Sequence, residues 1–270
     1  MRKYLALMRG GFLEGIAYKE NFLIGLMANF IQVVVLYYVW KSIFFYHTEI
    51  NGYTWSIMKK YVLVSFLCNS MFSFGFEMQT ANSIINGNII LDLLKPLSYR
   101  SMIFFKAFGI AGMEFLITFL WCGIFFVLSS GLDGMEWERC VVMLISMLLG
   151  MGIKFNIQYI FSMLCFYTDN AYGVVKGREV LTNFCSGALI PLALFPDFLQ
   201  KFVTSMPFSG IVYIPCSIFD GTFCWQKCWE AIFFQIVWNV TLFIVGSLFW
   251  KKASSVIALY GGWNVTLFIV

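Results

Sequence analysis

Two charged side chains, Glu114 and Lys154, stand inside long apolar runs of this chain. A charge at membrane depth is costly, and it persists where it pairs with another group or lines a path for ions or substrate. A helix rise of about 1.5 Å per residue places Glu114 roughly 12–18 Å deep from the inner side. Lys154 either pairs with Glu114 or snorkels to the inner interface. Such a pair suits an ion- or proton-coupled transporter. Other chemistry is hard to assemble. His47 is the single histidine, which removes histidine-based triads and zinc sites of the HExxH type. There is no G-x-x-x-x-G-K-[ST] phosphate loop and no GxGxxG opening a helix. Gly173–Arg178 (GVVKGR) has glycine and cations without the strand–loop–helix context. The chain is therefore read as non-enzymatic by itself, with no catalytic residue, no metal and no cofactor of its own.

The eight cysteines (68, 122, 140, 165, 185, 216, 224 and 228) fall mostly within apolar runs, as buried thiols do. Cys216, Cys224 and Cys228 cluster, but C-x3-C without histidine is a weak metal pattern, and free structural thiols are the expectation.

The elements that must position these residues are membrane helices. Of the 270 residues, 60% are hydrophobic, 20% aromatic and 12% charged, with mean hydropathy +0.81. That charge density is about half that of a soluble domain. A net charge of +4 without a basic block offers nothing to nucleic acid. Residues 1–20 carry charge throughout and do not read as a cleavable signal peptide. A spanning helix needs about 20 apolar residues, and six runs qualify: 21–46, 57–78, 102–129, 139–167, 179–196 and 229–250. With the N-terminus inside, the inner side receives Arg2, Lys3, Arg9, Lys19, Lys95, Arg100, Lys106, Lys176, Arg178, Lys251 and Lys252. The outer side receives only Lys41, Lys59, Lys60, Arg139, Lys201 and Lys227. This bias puts both termini in the cytoplasm. Before the first span, Leu5, Met8, Phe12 and Ile16 form the stripe of an interfacial helix over 1–20, weakened by Gly10-Gly11. Residues 251–270 form a cytoplasmic tail. It repeats WNVTLFIV, found at 238–245 and again at 263–270. A lone pair of copies reads as a local duplication or an assignment artefact rather than a functional repeat.

Prolines punctuate the segment after the fifth run. Pro191, Pro196, Pro207 and Pro215 interrupt SGALIPLALFPDFLQKFVTSMPFSGIVYIPCSIFDG, and each removes a backbone donor. Broken backbone at membrane depth requires cover by protein or a water-filled cavity. The segment is either an outer re-entrant hairpin or an apolar outer loop. On the inner side, NGNIILDLLKPLSYR (86–100) places Ile90, Leu93, Leu94 and Leu97 on one short apolar face. Asn88 reads as its N-cap and Pro96 as its stop. This short helix either rests on lipid or docks into a cytosolic partner.

Several ordered pieces carry a resemblance: AYKENFLIG (17–25), NGYTW (51–55), INGNIILDLLKPL (85–97), GALIPLALFP through SIFDG (187–221), and YGG (260–262). In that order the chain resembles the bacterial ABC-2-type permeases, specifically the six-span "ABC-2 family transporter protein" group. The resemblance implies an all-α integral membrane protein similar to the type V ABC exporters. It implies six transmembrane helices over 21–250, an N-terminal interfacial helix and an outer re-entrant hairpin between spans five and six. It also implies two separate cytosolic ABC ATPase subunits, which carry the ATP and magnesium, and a second permease chain in a homo- or heterodimer. The ATPase would be contacted by the interfacial helix and by Asn86, Gly87, Asn88, Asp92, Leu93, Leu94, Lys95 and Pro96. The expected function is export of an amphiphilic cargo (lipid, peptide or drug) across the bacterial inner membrane. The alternatives are an ion- or proton-coupled secondary transporter using Glu114 and Lys154, and a non-transporting immunity or scaffold protein.

Overall fold

Long apolar runs closed by glycine, proline and polar links fold here into helix after helix. The computed structural model describes every residue except 1, 18, 71–73, 131–135, 169 and 261–270. The second WNVTLFIV copy therefore lies outside the described residues. Among the described residues the chain is all-α apart from one two-stranded hairpin.

Helix α1 (Arg2–Ala17) precedes α2 (Lys19–Tyr46). The expected stripe on α1 is only partly seen. Leu5 and Phe12 are 62% and 38% exposed, Met8 is half-buried, and the Ile16 side chain lies outside the described residues. Gly10-Gly11 does not simply weaken this helix. Gly11 is buried against the Lys106 carbonyl, and Gly109 receives the Met8 backbone in return. A Cβ at either position would collide with backbone, so two glycines let α1 dock closely on the third long helix. A Tyr4–Phe105 ring contact at 4.6 Å completes the crossing.

The link between α2 and the next helix folds as a hairpin, β1 (Glu49–Ile50) paired antiparallel with β2 (Tyr53–Thr54). Its Asn51-Gly52 turn has positive φ at both residues, the signature of an Asn-Gly two-residue loop. The run expected over 57–78 is two helices, α3 (Trp55–Ser70) and α4 (Phe74–Ile85), on either side of residues 71–73. A short α5 (Ile89–Leu93) leads to α6 (Tyr99–Ser130) and α7 (Trp137–Leu164).

The run expected over 179–196 lies elsewhere. Helix α8 runs from Ala171 to Cys185, opened by the Asn170 side chain, which accepts from Gly173 N–H at 2.8 Å. It ends at Gly187, whose φ of +82° only glycine adopts readily, and a Cβ there would lie 2.8 Å from the Tyr61 hydroxyl. Arg178 is consequently not an inner-loop cation but a buried helical residue.

Four short helices follow: a 3₁₀ turn (Leu192–Leu194), α9 (Asp197–Ser205), a second 3₁₀ turn (Pro207–Gly210) and α10 (Tyr213–Phe219). Pro191 and Pro196 precede two of them, Pro207 opens the third, and Pro215 lies in the first turn of α10. There proline costs least, because first-turn N–H groups have no partner within the helix. The chain ends in α11 (Trp225–Tyr260), which contains the first WNVTLFIV copy.

Among the described residues, three helices contain segments long and apolar enough to cross a membrane: Tyr99–Ile124, Trp137–Leu164 and Trp225–Ser254. A shorter apolar stretch, Phe30–Tyr46, forms the end of α2. Most of α7 is buried, and it packs against α4, α8, α10 and α11. It is the axis of the core.

Candidate functional site

The segment 86–100 is anchored at one face and exposed at the other. Ile89 is buried and Leu93 packs on the core, whereas Ile90, Leu91 and Leu94 are 48%, 65% and 73% exposed. The presented face is therefore Ile90, Leu91 and Leu94 rather than the expected Ile90, Leu93, Leu94 and Leu97. The reason is length. With only five helical residues, the core takes Ile89 and Leu93 at i, i+4 spacing. Asn88 occupies the N-cap position with helical torsions and makes no side-chain cap, since capping needs extended torsions there. Gly87 turns the chain at φ +74°, and the Asn86 N–H bonds back to the Asn82 carbonyl. Asp92 and Lys95 form an exposed ion pair at 2.7 Å ahead of the exposed Pro96.

At the end of this segment, Arg100 ties three helices together. Its Nη1 donates to the Phe243 carbonyl at 2.8 Å and to Ser247 Oγ at 2.9 Å, both on α11. Its Nη2 donates to Asn156 Oδ1 on α7 at 2.6 Å. The guanidinium also lies 3.9 Å from the Phe243 ring centroid and 5.0 Å from that of Tyr159. Next to it, Tyr99 stacks on Trp250 at 4.7 Å. Arg100 and Tyr99 thus connect the end of this segment to α7 and α11.

Charges gather deeper in the helices. Arg178 on α8 and Glu77 on α4 form a two-point ion pair, Nε to Oε1 at 2.9 Å and Nη2 to Oε2, with side chains 3% and 0% exposed. Arg178 also donates to Thr182 Oγ1 at 3.4 Å. Lys154, 5% exposed on α7, donates to the Asn69 carbonyl and to Asn69 Oδ1 at the C-terminal end of α3. Asn69 Nδ2 in turn donates to Asn183 Oδ1 on α8 at 3.3 Å. Glu114 and Glu77 both act electrostatically on Lys154. Of the two charges singled out from the sequence, Lys154 is thus hydrogen-bonded between α7 and α3. Helices α3, α4, α7 and α8 are joined by ionic and amide bonds. All eight cysteines are free thiols, and no group of three or more metal-ligating side chains occurs among the described residues.

The proline-punctuated segment, residues 187–221, is tied to its neighbours by further hydrogen bonds. The Tyr61 hydroxyl donates to the Gly187 carbonyl at 2.7 Å, and Gln235 Nε2 on α11 donates to the Gly210 carbonyl at 2.7 Å. Arg139 donates from Nη1 to the Phe223 carbonyl at 2.9 Å and from Nε to Glu136 at 2.7 Å. The short helices between the prolines are thus pinned to α3, α7 and α11.

The profile of the family described as "ABC-2 family transporter protein" matches residues 30–258. The chain belongs to this family. No curated protein matches the chain. The matched region takes in residues 86–100, the buried charges and residues 187–221, and it leaves α1 outside. As an ABC-2 permease the chain is a multi-pass membrane component of an ABC transporter, a family that works with an ATP-binding subunit.

Sequence reasoning missed Glu77, Arg178, Arg100 and Asn156 in this ABC-2 permease. A signal for the first two was present. Ala171, Val175, Arg178, Thr182 and Cys185 recur at alternating spacings of four and three, and all are buried. Glu77, Thr80, Ala81 and Ile84 form an i, i+3, i+4, i+7 stripe on α4, and all are buried. Each stripe places one charge among small residues, so the two charges lie on interior faces. Nothing comparable marks Arg100 or Asn156, whose meeting depends on how α6, α7 and α11 cross.

Proposed function

We propose that this ABC-2 permease is the membrane half of an ATP-driven exporter of amphiphilic cargo (a lipid, peptide or drug) in the cytoplasmic membrane. Six spans, from α2, α3–α4, α6, α7, α8 and α11, run between cytoplasmic termini. The segment containing the 3₁₀ turns, α9 and α10 forms a re-entrant outer cover, as in type V exporters. Two separate ATPase subunits bind ATP and magnesium, and a second permease chain, identical or related, completes the path.

One observation carries this reading. Ile90, Leu91 and Leu94 stand exposed on a segment anchored by Ile89 and Leu93, immediately before the Arg100 clamp. An apolar face on a stiffly connected lever suits a protein groove, and Arg100 passes the lever's movement to α7 and α11. On α1, Leu5 and Phe12 extend the contact surface. The charge cluster supports the same reading over ion-coupled transport. Arg178, Glu77 and Lys154 are engaged in hydrogen bonds between helices, as expected of groups that hold a bundle together.

The test is co-expression with a candidate ATP-binding subunit of the same transporter. Replacing Ile90, Leu91 and Leu94 together by serine should abolish co-purification of the subunit and cargo-stimulated ATP hydrolysis, with the thermal midpoint of the permease unchanged. Unchanged recruitment and turnover in that variant would sink the docking assignment.

A further inference from the structure

The outer segment buries a carboxylate that nothing satisfies. Asp220 follows α10, and both of its side-chain oxygens are shielded from solvent without a hydrogen-bond partner. Ser186 Oγ, at the end of α8, is likewise buried and unpartnered, and Ser217 Oγ, one turn before Asp220, is buried beside the Tyr53 and Tyr213 hydroxyls. A buried ion normally pairs or collects hydrogen bonds, because an isolated one is strongly disfavoured. Asp220 also sits at the C-terminal end of its helix, where the backbone carbonyls oppose negative charge.

The groups around it do not neutralise it. Tyr53 on β2, Tyr61 on α3 and Cys216 on α10 share its electrostatic environment, and each adds repulsion once ionised. Tyr213 on α10 lies in the same group of phenols. Arg139 on α7 comes within 3.8 Å of where a Gly221 side chain would begin, but its Nε is on Glu136 and its Nη1 on the Phe223 carbonyl. Lys227 on α11 lies over the Phe223 ring. Lys60 on α3 supplies the opposing positive field, yet burial still holds the Asp220 carboxyl well above the usual carboxylate range.

We propose that Asp220 is a proton-binding site of the outer segment, occupied while α10 is packed as seen here and vacated when that segment opens outward. On opening, the carboxyl O–H bond breaks, its electron pair stays on the carboxylate, and the proton passes to external water. Water then solvates the charge that the closed packing cannot. Ser217 and Ser186 mark the polar surface that opening would hydrate. Outward opening is thereby favoured as external pH rises. The link to transport rests on the exporter reading above; the proton linkage does not.

The experiment uses the purified chain without an ATPase subunit, so its outcome is independent of that reading. Cys224, the exposed thiol, is replaced by serine, and the rate at which N-ethylmaleimide labels buried Cys216 is followed by mass spectrometry from pH 6 to pH 9. The same measurement on an Asp220→Asn chain supplies the denominator, so the thiol's own titration cancels. One linked proton makes the ratio of rates rise up to about tenfold per pH unit over the responsive range. A ratio that is flat with pH overturns the proposal. Should Cys216 stay unlabelled at every pH, thermal midpoints decide. An Asp220→Asn advantage that grows with pH supports the site, and parallel profiles overturn it.

Discussion

Arg178 and Glu77 meet in a two-point ion pair between α8 and α4 with neither side chain appreciably exposed. Breaking a buried pair on one side costs more than removing both partners, because the survivor is left as an uncompensated charge. Glu77→Gln should therefore lower stability by about 3–5 kcal/mol. The double replacement Glu77→Leu with Arg178→Met should recover most of that loss. Thermal unfolding in detergent separates the cases, and equal midpoints for the single and double variants would contradict the pairing.

Lys154 and Glu114 serve as a second check on what the buried charges do. Lys154→Met removes the donor to Asn69 and should destabilise by about 1–3 kcal/mol. Combining it with Glu114→Leu should leave ATP-driven cargo movement within about twofold of normal, once corrected for folded protein. Abolished transport by a stable double variant would instead favour ion coupling through the cluster.

Arg100 has a role that lysine cannot copy, since a single ammonium does not reproduce a planar fork donating to two helices at once. Arg100→Lys should preserve ATPase recruitment while lowering cargo moved per ATP hydrolysed. In a double-mutant cycle with Asn156→Ala, the two positions should show a stability coupling of about 0.5–3 kcal/mol. Additive effects on both stability and coupling ratio would remove the clamp from the transmission path.

The docking of α1 depends on two glycines facing each other's backbone. Gly109→Leu places a side chain where the Met8 backbone lies, and Gly11→Leu does so at the Lys106 carbonyl. Either change should detach α1 without unfolding the long helices. The expected readout is new proteolytic cleavage within residues 2–17 with helix content retained. Full protection of α1 in both variants would show that the crossing tolerates bulk.

The packing of residues 187–221 should depend on Tyr61, whose hydroxyl holds the Gly187 carbonyl where α8 ends. Tyr61→Phe removes one buried hydrogen bond and strands a carbonyl, at about 1–3 kcal/mol. The expected consequence is faster labelling of Cys216, which packs beneath the same segment against the Tyr61 backbone. An unchanged labelling rate would place the control of opening elsewhere.

The amino-acid sequence by itself determined that this is a membrane chain of apolar helices, that charge is scarce and confined, and that the ends of the short outer helices fall at prolines. These properties are local. Hydrophobic run length sets where a helix can cross a membrane, and a missing N–H sets where one must begin. The motif order also carried the ABC-2 family. Local residues likewise determined a short inner helix near Ile89–Leu93, although not which of its faces would be free. That face was decided by tertiary packing, because Ile89 and Leu93 turn inward only where the core can receive them. Asn170 and Gly187, local signals both, set the fifth helix at Ala171–Cys185, whereas tertiary structure chose the partners of its charge. It paired Arg178 with Glu77 across 101 residues and placed Arg100 against Asn156 and Phe243. The partners of a buried charge follow from helix crossings rather than from sequence neighbours. A cation at a predicted loop and a cation in a buried lock are the same residue type until the chain has folded around them.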